Sequence, residues 1–213
     1  MRDELQAAWE VLAGEVADLR ALLARQPPTG WRRPTRLPGW DVTILAAHLA
    51  RGVGRIAEYA ATPLAEPPAR DRRTYWRYDA RAAAPEIDAR ARAAAAGATA
   101  DRLLAELDRA LVAGAAAVAR LEPDAVIPSV MGPIQLVEYV PTRLIEVCIH
   151  GLDLRDALDA PPQPTPAALA WTTALLDQLL GGPRPADLSE PVAFIEAASG
   201  RRSHTDPRLP LLG

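Results

Sequence analysis

Apolar residues recur at intervals of three and four in four long stretches of the chain, the spacing of helices that bury one face. Leu5, Trp9, Leu12, Val16, Leu19 and Leu23 mark the first, over Arg2 to Arg25. The second runs from Asp41 to about Ala60. The third runs from about Thr99 to Leu121, with Leu103, Leu107, Leu111 and Val118 on one side, and the fourth from about Pro141 to Leu158. Four such helices can close a bundle around a shared core. Between the second and third, Thr62 to Gly97 reads as a long connection carrying prolines 63, 67, 68 and 85. Between the third and fourth, the β-branched residues of AVIPSVMGPIQLVEYV around Met131-Gly132-Pro133 predict a short hairpin-like excursion. APPQPTP (Ala160 to Pro166) reads as a stiff linker. A fifth helix follows at about Ala167 to Leu180, stopped by Gly181-Gly182-Pro183, and a short sixth at Val192 to Ser199, before the tail GRRSHTDPRLPLLG. The expected fold class is all-α, with a bundle over 1–160 and a Pro-rich linker and short helical extension over 161–213.

At 213 residues the chain can bury a substantial core without disulfides. Only 5% of it is aromatic, and abundant alanine favours helices with small side chains at their contacts. A net charge of -3 gives no general attraction to nucleic acid or to an anionic membrane. The sole cysteine, Cys148, excludes an internal disulfide, which suits a reducing cytosol. No apolar run is long enough to span a bilayer, and MRDELQAAWEVL lacks the apolar core of a signal peptide. These features predict a soluble, cytoplasmic protein. All 24 basic residues are arginine, a codon bias that points to a GC-rich, actinobacterial genome.

Candidate chemistry begins in LPGWDVTILAAHLARG, Leu37 to Gly52. Asp41 is placed to cap the helix, and Trp40 before it to pack back on the first turns as a hydrophobic staple. His48 then falls on the apolar stripe with Ile44, Leu45 and Leu49. A buried imidazole needs partners for both nitrogens. The bland alternative is a core histidine bonded to a backbone carbonyl. In PTRLIEVCIHGLDLRDAL, Glu146 and His150 are four apart and project side by side, and both interrupt an apolar face. Asp153 is placed to accept a ring N–H from His150 as an orienting partner. Cys148 points roughly opposite, as a small core residue. Two imidazoles and one carboxylate from two helices form a recognised zinc set that leaves a coordination position open. A Glu-x-x-x-His pair also arises by chance on helix surfaces.

The segments LPGWDVTILAAHLA and GPIQLVEYVPTRLIEVCIHGLDL resemble the DinB-like superfamily, and within it the family similar to mycothiol-dependent maleylpyruvate isomerase. The family pattern is a Pro-Gly-Trp capped helix with a central histidine, then an Arg-x-x-Glu-x-x-x-His-x-x-Asp helix. Pro38, Gly39, Trp40 and His48, then Arg143, Glu146, His150 and Asp153, match it over about Leu5 to Ala160. The resemblance implies a four-helix bundle holding Zn2+, or another divalent metal, by His48, Glu146 and His150. It also implies chemistry with mycothiol or a related low-molecular-weight thiol.

The expected function is therefore a thiol transferase or isomerase in which a metal-activated thiolate attacks a small electrophilic substrate. Arg143 and Asp153 are the further candidate catalytic residues; Arg143 is placed either to bind an anion or to hold the Glu146 carboxylate. In RDRRTYWRYDAR, Arg72, Arg73 or Arg77 could grip a carboxylate, but a solvated loop with Trp76 tucked into the bundle is the favoured reading. Arg201, Arg202 and His204 could reach the cavity mouth, though a tail is more often plain surface. The rival readings are a zinc hydrolase, with Asp153 as its only obvious base, and a non-catalytic bundle that binds a metal or small ligand. Expected partners are the electrophile and the thiol, with no nucleic acid and no membrane; the chain is a monomer or a homodimer.

Overall fold

The computed structural model describes residues 1–212. Within them lie α1 (Arg2–Ala24), α2 (Val42–Ala60), α3 (Ala80–Ala95), α4 (Ala100–Arg120), α5 (Leu136–Ala157), α6 (Pro166–Leu180) and α7 (Pro191–Ala198). A two-stranded antiparallel ribbon, β1 (Val126–Ile127) and β2 (Ile134–Gln135), pairs Val126 with Gln135 and Ile127 with Ile134. The mostly helical class and the small strand content agree with the apolar pattern. α1 and α2 each pack against both α4 and α5, which makes the four-helix core; α6 leans on α1 and α5, and α7 on α6.

Local chemistry sets the helix starts. The Asp41 carboxylate accepts from the Ile44 amide at 2.9 Å, and Thr99 caps α4 in the same way through Arg102. Gly181 closes α6 in the left-handed conformation (φ 68°) that a glycine adopts without strain. Across the α1–α4 seam the Trp9 ring lies against Gly114, where a Cβ would stand 2.2 Å from the indole. Only a glycine lets the two backbones approach that closely.

Two expectations are corrected. The stretch Thr62 to Gly97 is not a plain connection, because it contains α3 with Pro85 inside the helix. Asp79 caps α3 by accepting from the Arg81 and Ala82 amides, and alanine supplies the propensity. α3 buries only Ala91 fully, so it has no apolar stripe for a periodicity argument to find. The fourth predicted helix also starts five residues earlier, at Leu136, with Pro141 within its second turn. Proline cannot donate to the carbonyl four residues back. That carbonyl, of Val137, instead accepts from Arg72 Nη2 at 3.4 Å. Arg72 is held there by both oxygens of Glu138 (2.7 and 2.9 Å) and by Glu4 (2.8 Å).

The segment that opens α6 is fixed by a buried ion cluster. Glu15 in α1 has no exposed surface; it accepts from Arg155 of α5 at 2.9 Å and from the Thr165 amide at 2.7 Å. Arg155 also reaches Asp18 at 2.8 Å. Glu15→Ala leaves Arg155 with the half-exposed Asp18 as its remaining partner, and the about 3–5 kcal/mol of a buried charge left wholly uncompensated is the upper bound of the cost. Urea unfolding is expected to show a loss between about 1 kcal/mol and that bound; a smaller loss would mean that the cluster does not hold the helices.

Burial opposes the Glu138 charge, but its bonds from Arg72 outweigh this and hold the carboxyl below its ordinary 4.5. A depressed carboxylate stabilises the fold fully above that value and loses the contribution as pH falls below it. Glu138→Gln is therefore expected to flatten the fall in thermal midpoint as the pH drops below about 4.5. An unchanged acid limb would show that the Arg72 pair is without weight there.

Candidate metal centre

His48 is presented by the first half of α2, and the Trp40 ring covers it at 5.2 Å between centroids. Trp40 does pack back against its helix, and its indole N–H is tied at 2.7 Å to Asp88 of α3. The His150 ring stands edge-on to His48 at 5.1 Å. Glu146, one turn before His150 on α5, lies between them. Its Oε2 is 3.4 Å from His150 Nε2 and 3.8 Å from His48 Nε2. Both distances are too long for good hydrogen bonds. They lie near the edge of about 3.3 Å that a tetrahedron with ligand bonds of about 2.0–2.1 Å requires. One ligand atom from each of the three residues falls within 4.8 Å of the others. The donor set and its spacing fit a divalent ion of the zinc type.

The charge states of His48 and Glu146 suit that use. For His150, burial opposes a charge, but the bonds to Asp153 and Glu146 outweigh it and raise the ring above its ordinary 6.5, so a metal there competes with a proton. Burial lowers His48 below its ordinary 6.5, with the nearby positive groups adding to the effect, so its lone pair is free at neutral pH. Burial opposes the Glu146 charge, yet both imidazoles and Arg143 outweigh it and keep the carboxyl well below its ordinary range. Asp153 is fully buried and takes His150 Nδ1 at 2.9 Å. A donor at Nδ1 leaves Nε2 as the acceptor, turned toward Glu146. Asp153 is itself clamped by Arg36 Nε at 2.7 Å and Arg201 Nη2 at 2.9 Å; Arg36 continues to Glu196 at 2.6 Å.

The three centre residues lie on the wall of a cavity of about 800 Å³ between α2, α3 and α5. Arg143 lines it one turn before Glu146, but the two form no ion pair. The guanidinium instead lies against the faces of Tyr75 (5.1 Å) and Tyr139 (5.0 Å). Trp76 is buried, as the favoured reading of RDRRTYWRYDAR expects, but Tyr75 is buried too, and Arg72 is not solvated: it is committed to Glu138 and Glu4. Cys148 is buried away from the centre. Burial pushes its thiol up to about 12, so it is a core residue and not a nucleophile.

The tail is more than surface, because Arg201 supports the centre, while His204 pairs with Asp187 at 3.2 Å. Arg36 escaped sequence reasoning altogether. It sits 117 residues before Asp153, and nothing in its own neighbourhood announces the contact. The cavity wall formed by α3 was missed together with the helix.

The sequence family described as the mycothiol maleylpyruvate isomerase N-terminal domain matches residues 12–155. Among solved structures the fold is similar to the crystal structure of the mycothiol-dependent maleylpyruvate isomerase, with a TM-score of 0.58 at 16% identity. That match covers 83% of this chain and 69% of the other. No curated protein matches the sequence.

His48→Ala, Glu146→Ala and His150→Ala are each expected to abolish stoichiometric zinc binding, measured as metal content after exchange against a chelator. Asp153→Asn is expected to weaken it about 10–100-fold, the usual effect of losing a partner that orients a ligand. Full zinc occupancy in all three alanine variants would remove the centre.

Proposed function

The chain belongs to the mycothiol maleylpyruvate isomerase N-terminal domain family, and from that premise we propose that it is a zinc-dependent thiol transferase or isomerase acting with mycothiol or a similar small thiol. One observation carries this reading: two imidazoles and a carboxylate converge on the wall of a cavity large enough for a small molecule. A three-ligand set is that of a catalytic site, since structural zinc is closed by four protein ligands. A divalent ion held by His48, Glu146 and His150 supplies an open position and a positive charge that favours a thiolate over a thiol at neutral pH.

The residues of the chain do the rest. Asp153 fixes the ring orientation and tautomer of His150, and Arg36 and Arg201 keep Asp153 in place as an anion. The Trp40 and Tyr75 side chains and residues of α3 form the cavity wall around the reacting groups. The thiolate adds to, or displaces a group from, the small electrophile; in an isomerisation, bond rotation and loss of the same thiol follow. The lone cysteine and a thiol cosubstrate both suit a reducing cytosol. No helix is long and apolar enough to cross a membrane.

The hydrolase reading needs a free base beside activated water. Its only candidate, Asp153, is occupied by one imidazole and two guanidinium groups. Consumption of 1-chloro-2,4-dinitrobenzene by the zinc-loaded protein is expected to require mycothiol, to stop on chelation and to return with zinc. Consumption of a hydrolysable ester at the same rate with and without thiol would favour hydrolysis instead.

A further inference from the structure

α3 is the least embedded of the long helices. Of its 16 residues only Ala91 is fully buried, and it packs chiefly on α2, whereas α1, α2, α4, α5 and α6 each pack on two or more helices. Pro85 withholds a donor from the Arg81 carbonyl four residues back. No side chain among the described residues replaces that donor, as Arg72 does for Val137 on α5. Beyond the last turn Gly97 takes a left-handed conformation (φ 65°), and a Cβ there would meet nothing. Alanine keeps the segment helical, but little apolar contact holds it in place, so it detaches at lower cost than the bundle unfolds.

Yet this loosely packed helix forms one wall of the cavity, through Ala84, Pro85, Ile87 and Asp88. Two side-chain hydrogen bonds tie it to the body of the protein, and both land on the Pro38-Gly39-Trp40 turn. Trp40 Nε1 donates to Asp88 at 2.7 Å, and Arg92 Nη2 donates to the Gly39 carbonyl at 2.9 Å. Arg92 Nε also donates to Asp88 at 2.9 Å, which joins the two bonds into one unit. Gly39 is left-handed (φ 76°), and a Cβ there would stand 3.0 Å from Arg92 Nη2, so glycine shapes the turn and leaves room for the guanidinium. The bonds from Arg92 and Trp40 hold the Asp88 carboxyl below its ordinary 3.8, so the tie is charged at neutral pH. Asp88 and Arg92 are 42% and 48% exposed, where water competes for both partners. On its other side the Trp40 ring covers His48 at 5.2 Å.

We infer that α3 is a hinged flap over the cavity, latched by Asp88 and Arg92 onto the Pro-Gly-Trp turn, and that its release uncovers His48. The two events are one because they share a bond. When Asp88 lets go, the cavity loses a wall, and the Trp40 indole loses the one hydrogen-bond partner it has among the described residues. Flaps of this kind govern when a molecule enters a site and when it leaves. The inference concerns access to the cavity and does not depend on the thiol chemistry.

The rate at which diethyl pyrocarbonate modifies His48 in the metal-free full chain, read by mass spectrometry, tests the latch. Asp88→Ala is expected to raise it about tenfold, the worth of one hydrogen bond to a charged group. Alanine is the better helix former, so a poorer α3 cannot be the cause. Trp40→Phe keeps a ring over His48 but removes the N–H, and is expected to raise the rate by the same factor. The double variant is expected to exceed neither single one, because both remove the same bond. The buried Cys148 is the control, and its reaction with Ellman's reagent stays as slow as in wild type. In the zinc-loaded protein both variants speed transfer of the ion to 4-(2-pyridylazo)resorcinol by a similar factor, with zinc content at equilibrium unchanged. A His48 rate within twofold of wild type in either variant overturns the latch. Exposure of Cys148 in step with His48 places the opening in the whole bundle and overturns the flap, as does faster modification of His48 without faster zinc transfer. Where Asp88→Ala does not fold, Trp40→Phe decides. A wild-type chain that takes up no zinc would remove the metal centre and the proposed reaction, and His48 modification then decides the flap alone.

Discussion

One buried carboxylate organises this molecule. Asp153 has no exposed surface, and it receives an imidazole from its own helix, a guanidinium from the loop before α2 and another from the segment after α7. Burial works against its charge, but these donors more than compensate and draw its carboxyl far below the ordinary carboxylate range. A charge so placed is tolerated only while all its partners stay in register. It therefore joins three distant parts of the chain, and the part that matters chemically is the His150 ring. The orientation of that ring is a consequence of tertiary closure and not of its helix alone.

The same economy recurs where the backbone is awkward. Pro141 sits inside α5 and strips the Val137 carbonyl of its helical donor. Arg72 supplies a replacement, and in doing so pins the RDRRTYWRYDAR segment onto α5. That segment brings Tyr75 and Trp76 into the core and sets Tyr75 against Arg143. Arg72, one of the arginines that could have gripped a carboxylate, is a brace instead. The buried Glu15–Arg155 pair plays the corresponding part for the C-terminal helices.

These braces explain how an acidic chain encloses a basic cavity. Arginines whose carboxylate partners lie on the same or a neighbouring element are neutralised locally, as in the Arg92–Asp88 and Arg102–Glu106 pairs on α3 and α4. Where helices of different parts of the chain converge, the carboxylates are already taken, by histidines or by bracing arginines. The positive charge left over is concentrated around a wall that also holds the three metal-type ligands.

Taken alone, the sequence determined whatever depends on neighbours three or four residues apart. The amphipathic helices α1, α2 and α4, the Asp41 cap, the hairpin at Gly132 and the Glu146–His150 pair are all local, because helical periodicity and capping are short-range interactions. His48, an imidazole on an apolar stripe, completed with that pair a recognised zinc donor set, and the resemblance to a known family implied the same three residues. Only the tertiary structure decided the remainder. It made a helix of Ala80–Ala95, whose alanines carry no stripe and whose proline reads as a breaker. It started α5 at Leu136, where Arg72, paired with Glu138, also reaches the carbonyl that Pro141 leaves without its helical donor. It also brought Arg36 and Arg201 onto Asp153 and left Arg143 unpaired against two tyrosines. Such contacts are fixed by the closing of the bundle, and sequence spacing carries no record of which distant charges will meet when it closes.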